Sequence, residues 1–143
     1  MELEWKYSLK DISWKELSRL YKVTLGNKKP TDLETAFANS MFRFFVFNKK
    51  SKLIGAGRAL ADGIDCSYIC DVAVHPEFQG FGIGKNIISK LVELSAGHKK
   101  IILYACPGKE LFYKKFGFKR MSTAMAIFEN QNQAIENGLV NKT

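Results

Sequence analysis

Three glycines at alternate positions stand where a strand-like run gives way to a helix-like one. Gly80, Gly82 and Gly84 follow Gln79, and the apolar periodicity of a helix begins at Ile83. Glycine lets neighbouring backbone amides turn toward one point, and the helix dipole adds positive potential at the same end. This arrangement predicts a loop that binds a phosphate anion. The alternative is a tight strand-to-helix turn without a ligand.

Two better-known phosphate loops do not fit this stretch. The dinucleotide fingerprint requires a further glycine where this chain has Lys85. The Walker loop requires a glycine and a hydroxyl residue at the positions of Gln79 and Asn86. The phosphate group is therefore expected to belong to another kind of ligand.

Capping signals predict two helices ahead of the glycine loop. Ser13 with Glu16 three residues later forms a capping box, and Gly26 ends the first helix. Pro30 opens the second helix, whose apolar face we expect to consist of Leu33, Phe37 and Met41.

Strand-like alternation dominates the middle of the chain, and helical and strand-like runs alternate after it. A short first strand in residues 2–9 is followed by three strands joined by hairpin-like separators, over 43–48, 53–61 and 67–74. The later elements are a helix over about 83–96, an apolar strand over 101–106, a helix over 109–116, and closing strands near 118–121 and 124–128.

This order of elements predicts one α/β domain over residues 1–143. We expect a mixed, mostly antiparallel sheet with a central parallel β-α-β unit, flanked by helices. Residues 3–128 form the expected core, and residues 129–143 form a polar tail.

Two motifs in this order resemble the GNAT superfamily of acetyl-CoA-dependent N-acetyltransferases. The run Gln79-Gly80-Phe81-Gly82-Ile83-Gly84 matches that family's Gln/Arg-x-x-Gly-x-Gly/Ala pattern, and Val74-His75-Pro76-Glu77-Phe78 resembles its approach. The segment from Leu111 to Phe118 is similar to the family's Phe-Tyr-x-x-x-Gly-Phe segment. The resemblance covers nearly all of residues 3–128 and implies the GNAT fold with acetyl transfer from acetyl-CoA to an amine.

Some residues resemble a narrower group, the plant and cyanobacterial serotonin (aralkylamine) N-acetyltransferases. These are Pro30 with Leu33, Asn39-Ser40, Lys52 to Gly55, Arg58-Ala59 and Asp71-Val72. Cys70-Asp71-Val72 also occupies the place where glucosamine-phosphate acetyltransferases carry an acidic pair, with Cys70 in place of the first acid. The expected acceptor is a small-molecule primary amine, with an aralkylamine as first hypothesis. Polyamine, amino-sugar and protein-lysine acceptors are alternatives.

The GNAT resemblance also implies how acetyl-CoA is held. The backbone amides of Gln79, Gly80, Phe81, Gly82, Ile83 and Gly84 would bind the pyrophosphate, with Lys85 near the phosphates. The strand end at Val72, Ala73 and Val74 would pair with pantetheine as an additional strand, and one of its amides would polarise the thioester carbonyl. No metal is expected.

Two side chains are candidates for proton transfer. A primary amine must be neutral to attack, and Asp71 is the candidate that accepts its proton, directly or through water. The resemblance implies that Tyr113 protonates the departing thiolate. As structural alternatives, Asp71 only caps or pairs within the sheet, and Tyr113 is only a core aromatic beside Phe112 and Phe116. His75 is predicted to be a strand-end residue and not a catalyst.

Composition limits the partners and the compartment. The 22 Lys+Arg and 14 Asp+Glu leave a net charge of +8, but the lysines fall in small groups, so no nucleic acid is expected. Without a signal-peptide pattern or a long apolar run, we expect a cytoplasmic protein and no membrane partner. The three cysteines are predicted to be reduced and buried. A homodimer is one alternative for the assembly, and a non-catalytic acetyl-CoA sensor is the alternative function.

Overall fold

A five-stranded sheet organises residues 1–103 of the computed structural model, which describes residues 1–143 in two units, 1–103 and 104–143. In spatial order the strands are β1 (Leu3–Lys6), β2 (Phe42–Asn48), β3 (Leu53–Ala61), β4 (Cys66–Val74) and β5 (Lys100–Ile102). Pairing is antiparallel from β1 to β4 and parallel between β4 and β5. The mixed, mostly antiparallel sheet is therefore confirmed, with its parallel pair at one edge.

Five α-helices accompany the strands. They are α1 (Trp14–Lys22), α2 (Pro30–Ala38), α3 (Ile83–Leu94), α4 (Glu110–Lys114) and α5 (Gln131–Glu136). The first three belong to residues 1–103 and the last two to residues 104–143. None of the helices has the length and apolar composition needed to cross a bilayer.

The predicted hairpins form because side-chain oxygens close both turns locally. Asn48 Oδ1 accepts hydrogen bonds from the amides of Lys50 and Lys52 at 3.0 and 2.9 Å. Asp62 Oδ1 accepts from the amides of residues 64, 65 and 66, at 2.7 to 3.2 Å. Turns of this kind reverse the chain without help from distant residues, which is why their sequence signal is reliable.

Helix α1 begins as predicted, but only half of its capping box forms. The Ser13 hydroxyl accepts a hydrogen bond from the Glu16 amide at 3.2 Å. The Glu16 carboxylate instead accepts from the Leu53 amide at the start of β3, at 3.1 Å. The acidic side chain therefore links α1 to the sheet and does not return to the backbone of its own cap.

Strand β2 lies between β1 and β3 and is buried on both faces, which explains its run of apolar residues. Phe45 and Phe47 belong to the core that contains the apolar side chains of α1 and α2. On the other face α3 lies close to β3, because Gly55 and Gly57 present no side chain there. A Cβ atom on either glycine would lie 3.0 to 3.1 Å from carbon atoms of Ile87. This close approach seats α3 directly on the face of β3.

Four local expectations differ from the structure. The apolar strand is shorter than 101–106, because β5 pairs only with β4 and lies at the sheet edge. The closing strands near 118–121 and 124–128 do not form; Met125 and Ile127 are almost fully exposed, and a segment without a pairing partner does not hold strand geometry. Met41 lies beyond the end of α2 and is exposed. Cys106, in the chain that has left the sheet, is exposed, and Cys66 and Cys70 are half-buried.

Candidate functional site

The glycine loop opens α3 with unblocked backbone amides. Gly82 is the N-cap residue with a φ of 81°, and no side chain caps the helix. Gly80 also has a left-handed φ, of 87°, and nothing lies within 4 Å of a Cβ atom built on either residue. The first-turn amides of a helix have no partner inside the helix, so they point outward with the positive end of the dipole. Lys85 is exposed in that first turn, and the Phe81 side chain is 64% exposed.

The end of β4 lies beside this loop and has an open edge. The His75 amide donates to the Ile54 carbonyl of β3 at 2.7 Å, so residue 75 directs its backbone toward β3. Successive strand residues direct their backbone groups to opposite edges, so Val74 faces the other side. There β5 accompanies β4 only as far as Tyr68. The Val74 carbonyl accepts from Gln79 Nε2 at 3.0 Å, which ties the strand end to the loop.

A β-bulge interrupts β4 just before the open segment. Ala56 and Arg58, two positions apart on β3, face Ala73 and Cys70, three positions apart on β4. Within the bulge Asp71 has a φ of 52°, a left-handed conformation that few non-glycine residues adopt. Such a conformation costs about 1–3 kcal/mol and persists only where its surroundings hold it.

The hydroxyl of Tyr21 on α1 supplies part of that support. It donates a hydrogen bond of 2.6 Å to the backbone carbonyl of Asp71. Tyr21 is fully buried, and burial, followed by the charge of Asp71, raises the pKa of Tyr21 well above its usual value. The hydroxyl is therefore a protonated donor at neutral pH, and it holds the backbone at the bulge.

The Asp71 carboxylate lies between two cations. Arg58 Nε donates to its Oδ2 at 2.8 Å, and Lys28 Nζ lies 3.4 Å from its Oδ1. Burial alone would lower the pKa of Arg58, but the charge and hydrogen bond of Asp71 raise that pKa above its usual value. Arg58 Nη1 also donates to the buried Ser40 hydroxyl at 3.3 Å. Asp71 thus pairs with Arg58 within the sheet and also contacts the segment between α1 and α2.

Tyr113 lies in the second unit, on α4, and is half-buried. Its ring contacts those of Phe112 and Phe118, with centroids 5.1 and 6.2 Å away. Burial, followed by the neighbouring Cys106 thiol, raises the pKa of Tyr113 above its usual value. A tyrosine in this state retains its proton in neutral solution and can donate it.

His75 directly follows the last residue of β4, at the strand end where the sequence places it. Its Nδ1 accepts a hydrogen bond of 3.2 Å from the Glu77 amide and caps the short 3-10 turn Pro76–Phe78.

The predicted site residues of the first unit come together in two groups. One is the bulge at Asp71 and the other is the loop tied to Val74 by Gln79.

Sequence reasoning did not find Arg58, Lys28 and Tyr21 as neighbours of Asp71. In a hairpin without a bulge Arg58 is paired with Cys70. Only the bulge brings the carboxylate of the following residue, Asp71, within hydrogen-bonding distance of Arg58. Lys28 and Tyr21 come from α1 and the segment after it, more than 40 positions away. The only signal in the sequence was that Arg58 and Asp71 are charged residues within otherwise apolar strand runs.

The residues present fit the coenzyme that the motifs imply. An uncapped helix N-terminus with two left-handed glycines suits a pyrophosphate. The outward backbone of Val74 suits an extended chain that adds to the sheet edge, as a pantetheine arm can. No group of three or more His, Cys, Asp or Glu side chains is placed to hold a metal ion.

Comparison with known proteins places this arrangement in a family. Residues 40–120 match the family model of the acetyltransferase (GNAT) domain. An uncharacterized N-acetyltransferase, ycf52, of Pyropia yezoensis is 38% identical over 117 residues, 78% of this chain and 67% of that protein. The chloroplastic GCN5-related N-acetyltransferase 2 of Arabidopsis thaliana is 40% identical over 73 residues, 50% of this chain and 28% of that protein. A GNAT-family acetyltransferase structure from Streptococcus pneumoniae has a TM-score of 0.75 at 21% identity, covering 91% of this chain and 99% of that one.

The chain belongs to the GNAT family of acetyl-CoA-dependent acetyltransferases. The likeness to the Streptococcus structure establishes the fold alone, because the sequence identity is low. The chain spans about two thirds or less of the length of the curated relatives that it matches.

Proposed function

We propose that this chain transfers the acetyl group of acetyl-CoA to a primary amine of a small molecule, by direct attack in a ternary complex. The observation that carries the proposal is the junction of β4 and α3. An open strand edge at Val74 and an uncapped helix N-terminus at Gly82 lie on one short stretch of chain, joined by the Gln79 hydrogen bond. An extended chain that ends in a pyrophosphate requires both features.

In this proposal the backbone holds the coenzyme. The amides of Gln79–Gly84 bind the pyrophosphate, and the exposed Lys85 side chain adds charge near the phosphates. The segment Val72–Val74 pairs with pantetheine, and one of its amides donates to the thioester oxygen as negative charge develops there. The two glycines with open space in place of Cβ atoms let the loop approach the phosphates closely.

Asp71 and Tyr113 are the proposed proton carriers. The Oδ1 atom of Asp71 has a longer contact, 3.4 Å to Lys28, than Oδ2 has to Arg58, 2.8 Å. Lys28 is also the more exposed partner, so an acceptor amine or a water molecule can exchange with it at Oδ1. Tyr113, whose raised pKa keeps it protonated, is the proposed acid that protonates the coenzyme A thiolate.

An aralkylamine is the first proposed acceptor, on the strength of the residues shared with the serotonin N-acetyltransferases. Polyamines, amino sugars and protein lysines are the other acceptors to be compared. The cytoplasmic location stays a prediction, and an Arabidopsis relative carries the word chloroplastic in its name. A homodimer also stays a prediction.

The decisive experiment follows thiol release from acetyl-CoA across a panel of acceptors. The panel contains tryptamine, serotonin, phenylethylamine, spermidine, glucosamine phosphate and a lysine peptide. Turnover with any amine supports acetyl transfer, and turnover restricted to the aromatic amines supports the aralkylamine proposal. Tight acetyl-CoA binding without turnover on the whole panel would favour the sensor instead. Failure to bind acetyl-CoA would refute the central proposal.

A further inference from the structure

Lys28 places a primary amine beside the proposed proton acceptor. It lies between α1 and α2, with its ammonium 3.4 Å from Asp71 Oδ1 and 5.9 Å from the centre of the Tyr21 ring. The Lys28 carbonyl accepts a 2.6 Å hydrogen bond from Ser18 on α1, which anchors the segment. The side chain is 33% exposed, so this ammonium contacts both the carboxylate and solvent.

Arg58 cannot play the same part, although it is the closer cation. A guanidinium stays protonated in proteins and is not a nucleophile, whereas a lysine amine becomes one when it loses a proton. Of the two cations at Asp71, only Lys28 therefore has the chemistry of an acceptor. It occupies the position that an external amine needs in order to give its proton to Oδ1.

We propose that Lys28 is a self-acetylation site of this enzyme, an inference that rests on the proposed function. The Lys28 ammonium gives a proton to Asp71, and its nitrogen attacks the thioester carbonyl of acetyl-CoA. The new C–N bond forms and the nitrogen gives up a second proton, the C–S bond breaks, and the sulfur leaves with the bonding pair and takes up that second proton as coenzyme A thiol. Asp71 afterwards releases the first proton to solvent. The product is an uncharged acetyl-lysine, so the ion pair with Asp71 is lost.

Lys52 offers a matched comparison inside the same unit. Its ammonium also lies 3.4 Å from a carboxylate, that of Glu77, and 5.6 Å from the centre of the Phe78 ring. Its side chain is 44% exposed against 33% for Lys28, so uncatalysed acetylation favours Lys52 or neither. Faster acetylation of Lys28 than of Lys52 would therefore reflect the environment of Lys28 beside the bulge and not the general reactivity of exposed lysines.

The test incubates the full chain with acetyl-CoA and no acceptor amine. Acetylation at each lysine is then quantified over time by peptide mass spectrometry, with a protease that does not cleave at lysine. We expect Lys28 to react at least ~10-fold faster than Lys52, a modest share of what a positioned base contributes. Asp71→Asn should reduce the Lys28 rate to that of Lys52, and urea-unfolded wild type should show no preference. Lys28→Arg should not move the rapid modification to another lysine.

Equal rates at Lys28 and Lys52 in the folded protein would overturn the inference, as would a preference that survives in urea. This comparison uses the wild type and does not depend on the folding of a variant. Turnover of a panel amine without modification of Lys28 would overturn the inference and leave the proposed function intact. Rapid modification of Lys28 without turnover of any panel amine would support it. If neither Lys28 nor any panel amine is acetylated, both the self-acetylation inference and the proposed function are overturned.

Discussion

Tyr21→Phe removes one buried hydroxyl and keeps the ring that packs in the core. The hydroxyl donates to the partly buried Asp71 carbonyl at 2.6 Å, and leaving such a carbonyl without its donor costs about 1–3 kcal/mol. The same carbonyl belongs to a residue whose φ of 52° is itself unfavourable, so the bulge is free to relax once the bond is gone. We therefore expect the free energy of unfolding to fall by about 1–3 kcal/mol, measured by urea denaturation.

The effect on activity should exceed the effect expected from stability alone. A shift of about 1 Å in a reacting group costs up to ~10²-fold in rate, and the bulge positions both the Asp71 carboxylate and the Val72 amide. We expect kcat to fall by ~10-fold to ~100-fold in the best amine assay, and the dissociation constant of acetyl-CoA to rise by a smaller factor. The coenzyme loop is held by α3 and Gln79 and has no hydrogen bond to Tyr21.

Ser67→Ala is the matched control on the same strand. It removes a buried hydrogen bond of 2.7 Å between the Ser67 and Ser95 hydroxyls, both fully buried, away from the bulge. A comparable loss of stability is expected, with kcat close to that of the wild type. Equal losses of kcat in the two variants would refute the positioning role of Tyr21, as would a Tyr21→Phe variant with full kcat.

Three further predictions test the coenzyme loop, the proton carriers and the buried tyrosine. Asp71→Asn and Tyr113→Phe should each lower kcat by ~10²-fold with acetyl-CoA affinity retained in calorimetry, and full kcat in both would refute the assigned roles. Gly82→Ala, at a φ of 81°, should weaken acetyl-CoA binding. Gly97→Ala is the control, because Gly97 has a φ of 95° and lies beyond the other end of α3. It should cost a similar backbone strain of ~1–2 kcal/mol and leave acetyl-CoA binding unchanged. Because folding raises the Tyr21 pKa above its usual 10.0, the unfolded chain releases that proton first as the pH rises. The wild type should thus lose stability above pH 10.0, and Tyr21→Phe should lose less in urea titrations on either side of that pH.

Features that depend on neighbouring residues were predictable from the sequence. Asn48 and Asp62 close their hairpins with their own side chains, and Ser13 caps α1 through an amide three residues away. The glycine loop was predictable for the same reason, since its backbone conformation is a property of the glycines themselves. The resemblance to the family motif indicated which ligand the loop would bind. The match to the family model supports acetyl-CoA as that ligand, whereas the roles of individual residues stay proposals.

Features that depend on pairing across the fold were not predictable. The apolar run after position 100 has the composition of a strand. The length of a strand depends, however, on the neighbouring strands that pair with it, and β5 pairs only with β4. The contact between Arg58 and Asp71 requires one extra residue in β4, and no residue type in that run signals a bulge. Glu16 reaches Leu53 for a similar reason, because the sheet offers an amide that the local pattern does not reveal.

The unusual backbone at Asp71 makes the choice of substitution decisive for its proposed role. Asparagine, like aspartate, enters the left-handed region more readily than most other non-glycine residues, and it can still accept a hydrogen bond from Arg58. Asp71→Asn therefore removes the charge and keeps the bulge. Asp71→Gly relaxes the backbone and removes the side chain, and Asp71→Ala removes the side chain but retains the strain. If the carboxylate accepts the proton, Asn, Gly and Ala should be similarly inactive although their unfolding free energies differ. If Asp71 acts only by shaping the strand, activity should follow stability, and the asparagine variant should turn over amines nearly as fast as the wild type.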